Sequence, residues 1–343
     1  VNRVKEYPVF PVGEPGVPWG PAEKSAWLKT VTKKRSYAED IVSRVEAMGK
    51  EDNSGKEVVQ YGVIDYEKFG FDRYPLLAVK SKEWNKSNPM ILVTGGTHGY
   101  ETSGALGAII FAENHLERYA AKGYNVLVHV CQSPWAYETV HRWTISAKGD
   151  EVDAVDPNRC WNYQKNKELV WDPPGCDPKL QCQEAMLAMK HIASHAADSA
   201  SVLLHVDCHE TTDTDNTLFI PSKIARDGTT NKQWEPIPDG WYSVANDHAP
   251  EPEFHKYVIE AVEKVTHIAE ADEKGEMIGE KVSDKGIITI AGRQWQVCGA
   301  HTDARYSLTT EVYPQPKRCE PETCNEAQVA CCVAAADYAI ANQ

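Results

Sequence analysis

Long hydrophobic runs are missing from this chain of 343 residues. No apolar stretch approaches the length needed to cross a bilayer, which excludes a helical membrane span. Positive charge is also scarce: 36 Lys and Arg stand against 50 Asp and Glu, a net charge of −14. The basic footprint that nucleic acid or an anionic membrane surface requires is therefore absent, and neither is an expected partner. No CxxC spacing occurs among the 10 cysteines, which removes zinc ribbons and thioredoxin-like redox motifs. The opening residues, Val1-Asn2-Arg3-Val4-Lys5-Glu6, lack the apolar centre of a signal peptide; beginning on Val, they leave the compartment open. The cysteines lean the other way. Cys176/Cys182 and Cys319/Cys324 are close enough to close small loops, and Cys331-Cys332 is a vicinal pair. An even count with such positions suits an oxidising compartment, hence a soluble secreted or periplasmic protein. The triplet Asn85-Lys86-Ser87 is compatible with that.

Hydrophobic content of 42% with 25% charged residues suffices for a sizeable core. Residues 1–56 read as a Pro- and Gly-rich arm followed by a helix from Glu23 to Met48, packed on a body spanning 57–343. Within the body, Val58–Asp65, Tyr74–Ser81, Met90–Thr94, Asn125–Cys131, Ser201–Cys208 and Ala304–Val312 read as strands. Helices are expected from Thr102 toward Arg118, over Gln181–Ala197 and Glu253–Glu273, and after a capping box at Thr323–Glu326. Residues 142–180 read as loop. Strands alternating with helices, without internal repeats or linkers, predict a single α/β domain. Its central sheet should be mixed, mostly parallel, and covered by helices on both faces.

Chemistry concentrates at strand ends. His98-Gly99-Tyr100-Glu101 follows the apolar run Met90-Ile91-Leu92-Val93-Thr94 and a glycine pair. An imidazole and a carboxylate at that spacing can aim at one point, and nitrogen with oxygen donors suits zinc. His209 sits just past another strand end, in Val206-Asp207-Cys208-His209. The rival His205 falls inside the apolar run and should point into a packed face. Three protein ligands would leave a fourth position open, as in catalytic zinc sites. In Val155-Asp156-Pro157-Asn158-Arg159, Arg159 can hold a carboxylate bidentately with Asn158 as a donor beside it. Glu311 stands in the otherwise uncharged run Tyr306-Ser307-Leu308-Thr309-Thr310-Glu311-Val312, where a carboxylate could take a proton from water beside a metal.

HxxE, then Asp-x-Asn-Arg-x-Trp, then a strand-end His, then Thr-x-Glu in the last strand resembles, in that order, the zinc carboxypeptidases related to carboxypeptidases A and B. The resemblance spans roughly residues 57–340. It implies a carboxypeptidase-like fold, one zinc per chain on His98, Glu101 and His209, and Glu311 as the catalytic base. It further implies that Asn158 and Arg159 bind the substrate's terminal carboxylate and that Asp156 orients the first histidine. Arg142, in Ser133–Trp143, matches the arginine that polarises the scissile carbonyl. Trp295 stands where the family has a mobile tyrosine near the substrate. The implied activity is removal of C-terminal residues from peptides. His98–Gly104 and Asp207-Cys208-His209 also resemble the deacylases of succinylglutamate and N-acetylaspartate, so small N-acyl amino acids are the alternative substrates. A silent binding protein on the same scaffold is disfavoured, because Glu311 is retained.

Overall fold

The computed structural model describes residues 6–50, 54–148, 151–161, 164–165, 168–169, 182–198, 201–230, 234–315 and 317–343. Cys176 and part of the predicted 142–180 loop lie outside them.

Continuous apolar runs become sheet strands because both of their faces are covered. Strands β1 (Lys56–Asp65), β2 (Arg73–Ser81), β3 (Met90–Gly95) and β4 (Asn125–His129) come first. A hairpin of β5 (Thr144–Lys148) and β6 (Glu151–Val155) and a small pair, β7 (Gln164–Lys165) and β8 (Glu168–Leu169), stand off the main sheet. Then follow β9 (Val202–Cys208), β10 (Trp241–Asn246), β11 (Glu276–Met277), β12 (Glu280–Asp284), β13 (Ile287–Ile290) and β14 (Tyr306–Val312). The ten-stranded sheet runs β1-β2-β4-β3-β9-β14-β10-β13-β12-β11. Its centre, β4-β3-β9-β14, is parallel, and antiparallel partners flank it on both sides. The mixed sheet expected from sequence is thus present, with its longest parallel stretch in the middle.

Strand alternation assigns the two faces. Ile91 and Val93 join one core with Val126, Val128, Leu204 and Val206. Met90, Leu92 and Leu127 join another with Ala185, Ala188 and Ile192. The first face is covered by α2 (Ser43–Gly49), which follows α1 (Pro21–Thr30), by α3 (Thr102–Asn114) and α4 (Leu116–Ala120), and by the later α8 (Pro252–Val262) and α10 (Pro321–Ala341). Short α5 (Pro134–Thr139) follows β4, α6 (Gln183–His195) covers the second face, and α7 (Ile220–Asp227) and α9 (Gly292–Trp295) are peripheral turns of helix.

Several expected boundaries shift for local reasons. The helix expected over Glu23–Met48 breaks between α1 and α2. β-branched Thr30, Val31 and Thr32 sit at the break, and the Lys34 and Arg35 N–H groups turn to the Glu138 carbonyl. The 253–273 helix stops at Val262, because residues 267–269 are drawn to the sheet, where Trp241 N–H bonds His267 O and Ala269 N–H bonds Trp241 O. The C-terminal helix starts at Pro321, with Glu320 as cap in place of Thr323; proline at the first helical position wastes no hydrogen bond. The helix after Glu101 is interrupted at His115. Part of the expected loop is the β5–β6 hairpin. Strands β10 to β13 had no counterpart in the sequence reading. Cys319 and Cys324 do approach, with sulfurs 3.3 Å apart, and Cys332 faces Cys208 at 3.8 Å.

Candidate metal centre

Parallel register brings the chemistry to one level. Cys208 pairs with Gly95 of β3 on one side and with Thr310 of β14 on the other. His209, just past β9, and Glu311, still within β14, each one residue further, therefore lie at the same height, and His98 follows from the end of β3. The chain leaves β3 for β4 on one side and returns as β9 on the other, so the site lies at a topological switch point, where open α/β sheets bind ligands. Two glycines make the turn possible. Gly96 takes a left-handed φ of 63°. At Gly99 an added Cβ would sit 1.9 Å from the Ala136 carbonyl carbon, so only glycine lets the loop lie against α5.

Glu101 bridges the two imidazoles. Its Oε1 is 2.6 Å from His98 Nδ1 and its Oε2 is 2.7 Å from His209 Nδ1. The ligand atoms of His98, Glu101 and His209 lie within 4.8 Å of one another, and none of the three residues is more than 2% exposed. The far ring nitrogens are each held by a carboxylate: His98 Nε2 is 3.0 Å from Asp156 Oδ1, and His209 Nε2 is 2.9 Å from Asp207 Oδ2. Carboxylate–imidazole pairs of this kind fix which nitrogen faces a metal and raise its basicity. Electrostatics favour positive charge at the same spot. Burial pushes the Glu101 carboxyl up, but His98 and His209 outweigh it and hold the group well below the usual range. Burial likewise opposes charge on His209, yet Asp207 and Glu101 hold it well above its ordinary value. Donor set, geometry and field all fit a small divalent cation.

Asp207 escaped the sequence reading, although a signal was there. It lies on β9 two residues before His209, which continues the extended chain just past the strand, and residues so spaced share a face. Thr94 Oγ1 donates to its other oxygen at 2.7 Å. Replacing Asp207 with Asn should therefore weaken metal binding roughly 10- to 100-fold, measured by competition with a chromogenic chelator; unchanged affinity would deny it this role. Two further supports come from afar in the chain. Gln328 of α10 donates to the His209 carbonyl at 2.8 Å and accepts from Thr310, whose hydroxyl receives the His209 N–H. The Glu210 N–H donates to Glu101 Oε2 at 3.2 Å, while its carboxyl, pushed up to about 7 by burial, accepts from the first turn of α3 at Ser103.

Of the remaining predicted residues, Arg142 and Asn158 lie directly against this centre. Arg142 Nε donates to Asp156 at 3.0 Å, and its Nη1 donates to Tyr100 OH at 2.9 Å and lies 3.6 Å from Glu101 Oε1. Asn158 is buried; its Oδ1 accepts the Cys298 N–H at 2.7 Å and its Nδ2 is 3.4 Å from His209 Nε2. Arg159, half-buried, donates to the Asn158 carbonyl and places its guanidinium 5.9 Å from the centre of the half-buried Trp295 ring. Glu311 Oε2 accepts from Thr211 Oγ1 at 2.8 Å. Burial, with Glu101 adding to it, pushes the Glu311 carboxyl up to about 8. His205 is elsewhere: fully buried, it contacts Thr94 and Thr302.

No protein-family model and no curated protein matches the sequence. Solved structures do match in fold. A candidate metallopeptidase from Shewanella amazonensis aligns with a TM-score of 0.56 at 16% identity, over 90% of this chain and 98% of that one. Bovine thrombin-activatable fibrinolysis inhibitor, in complex with tick carboxypeptidase inhibitor, gives 0.54 at 13% identity over 92% and 100%. A metallo-carboxypeptidase from Burkholderia cenocepacia gives 0.53 at 11% identity over 88% and 69%. At such identities the likeness speaks for architecture, and with a His-Glu-His group at its strand ends the chain has the fold of the metallo-carboxypeptidases.

Proposed function

We propose that the chain is a zinc-dependent hydrolase that removes C-terminal residues from peptides. The observation that carries this reading is the convergence of His98, Glu101 and His209 just beyond parallel strands β3 and β9, with Glu311 of β14 level with His209. Bound there, zinc would supply Lewis acidity, polarising a carbonyl and making water nucleophilic near neutral pH. The residues supply the rest. Glu311, with Oε2 held by Thr211 and no hydrogen bond to Oε1 from a described residue, is placed to accept a proton from attacking water and return it to the leaving nitrogen. Burial works against charge on Arg142, but Asp156, Tyr100, Asp215 and Glu101 hold the guanidinium charged. It is the group available to stabilise negative charge growing on the scissile carbonyl oxygen. Arg159 is the candidate anchor for the substrate carboxylate.

One observation favours small N-acyl amino acids as a second reading. Asn158 Oδ1 accepts the Cys298 N–H and its Nδ2 faces His209, which argues against the paired Asn158–Arg159 grip expected on a peptide's terminal carboxylate. Comparing free-acid with C-terminally amidated peptides separates the readings. Losing the charge-assisted contact should cost roughly 2–5 kcal/mol, so amidated peptides should be very poor substrates. Arg159→Ala should weaken free-acid cleavage by a similar factor and barely change what amidated cleavage remains, a non-additive pair. Equal cleavage of both peptides by the intact protein would rule out carboxypeptidase action, and a preference for N-acyl amino acids would favour the deacylase.

A further inference from the structure

We propose that Thr211, backed by Tyr242, is a positioning residue that fixes the Glu311 carboxylate. The inference rests on Glu311 acting as the base, as proposed above. Thr211 follows the metal-site histidine by two residues, and its N–H is tied to the Val312 carbonyl at 3.2 Å, so its hydroxyl is anchored beside β14. That hydroxyl is 2.8 Å from Glu311 Oε2 and 2.7 Å from Tyr242 OH. Tyr242 is the antiparallel partner of Glu311 across β10 and β14 and is fully buried.

Counting hydrogens gives the arrangement a direction. An ionised carboxylate only accepts, and a threonine hydroxyl has one hydrogen to give. If that hydrogen goes to Glu311, the contact with Tyr242 must be filled by the phenol's own hydrogen. The chain then runs from Tyr242 O–H to Thr211 O–H to Glu311 Oε2. Burial, and then the nearby Glu311, push the Tyr242 phenol well above its ordinary value, which keeps it a donor. Such a chain does two things. It holds one carboxylate oxygen and leaves the other without a hydrogen bond from a described residue, and it stabilises the ionised form of a group that burial, Glu101 and Asp215 disfavour and that His209 favours. The pair does not touch the reacting atoms; it acts through Glu311, where a displacement of about 1 Å can cost on the order of a hundredfold in rate.

The test is steady-state kinetics on zinc-loaded Thr211→Val, Thr211→Ser and Tyr242→Phe, with crystal structures of the first. Thr211→Val should lower kcat roughly 10- to 100-fold with KM nearly unchanged, and should move the acidic limb of the pH–rate profile upward, since a hydrogen bond favouring the carboxylate is gone. Thr211→Ser should restore most of the rate. Tyr242→Phe, which keeps the ring and its packing, should lose less and add little to Thr211→Val. In the Thr211→Val crystal the Glu311 carboxylate should leave its orientation. A rise in KM at constant kcat, or an unmoved carboxylate with normal kcat, would overturn the proposal. If the intact protein hydrolyses neither peptides nor N-acyl amino acids, the functional reading fails, and the crystal structure still decides whether Thr211 positions Glu311.

Discussion

Replacing Glu311 with Gln should leave the fold and zinc content intact and lower turnover roughly a thousandfold or more. Glu311 is not one of the three residues whose ligand atoms converge, so metal affinity does not depend on it directly. The carboxamide has nearly the carboxylate's shape and can still accept from Thr211 through its oxygen; what it cannot do is take a proton. A second signature follows from charge. Burial first, and Glu101 next, raise this carboxyl from 4.5 to about 8 in the metal-free protein. An acid whose folded pKa exceeds its unfolded one costs stability as pH rises. The cost is absent below about pH 4, grows through the interval, and is complete above about pH 8. Metal-free Glu311→Gln should therefore match the parent's Tm at low pH and exceed it at pH 8–9. Near-normal turnover of the variant, with zinc bound, would remove Glu311 from the mechanism.

His209→Ala should lose most of its zinc, whereas His205→Ala should keep it. The two histidines lie four residues apart, and sequence alone offered both. The structure separates them by surroundings. His209 presents Nδ1 to Glu101 and is braced by Asp207. His205 spends both nitrogens on Thr94 and Thr302, and burial pushes it down to about 4, so it stays neutral in the core. Its removal should cost stability, roughly 1–3 kcal/mol from a cavity and unpaired hydroxyls, and leave stoichiometry alone. Metal analysis of the two purified variants checks this directly. The reverse pattern would mean that the wrong histidine has been assigned.

What was legible follows from the range of the interactions. The strands β3 and β9 could be read because continuous apolar runs ending at polar residues mark buried parallel strands. The ligand positions at their ends could be read with them. Which face each residue of that run takes was not legible, because Met90–Val93 is apolar throughout; the structure sends Met90 and Leu92 to one core and Ile91 and Val93 to the other. Strand β10 escaped because its aromatic run Trp241-Tyr242 follows a stretch with no periodic pattern, and its pairing with β14 is a contact between segments far apart in the chain. The same distance hid Gln328 on His209 and Thr211 on Glu311. Such residues are ordinary by type and acquire their role only from the neighbour that folding supplies. The helix breaks at residues 31–36 and after Val262 belong to the same class, because backbone partners on Glu138 and Trp241 overrode local preference.

The most direct measurement is incubation of a peptide bearing a free C-terminal carboxylate with purified protein, followed by mass spectrometry of the products. The expected result is loss of the last residue as a free amino acid, abolished by a chelator and restored by zinc at one ion per chain. An intact peptide in the presence of zinc-loaded protein, or cleavage that a chelator leaves unchanged, would contradict it.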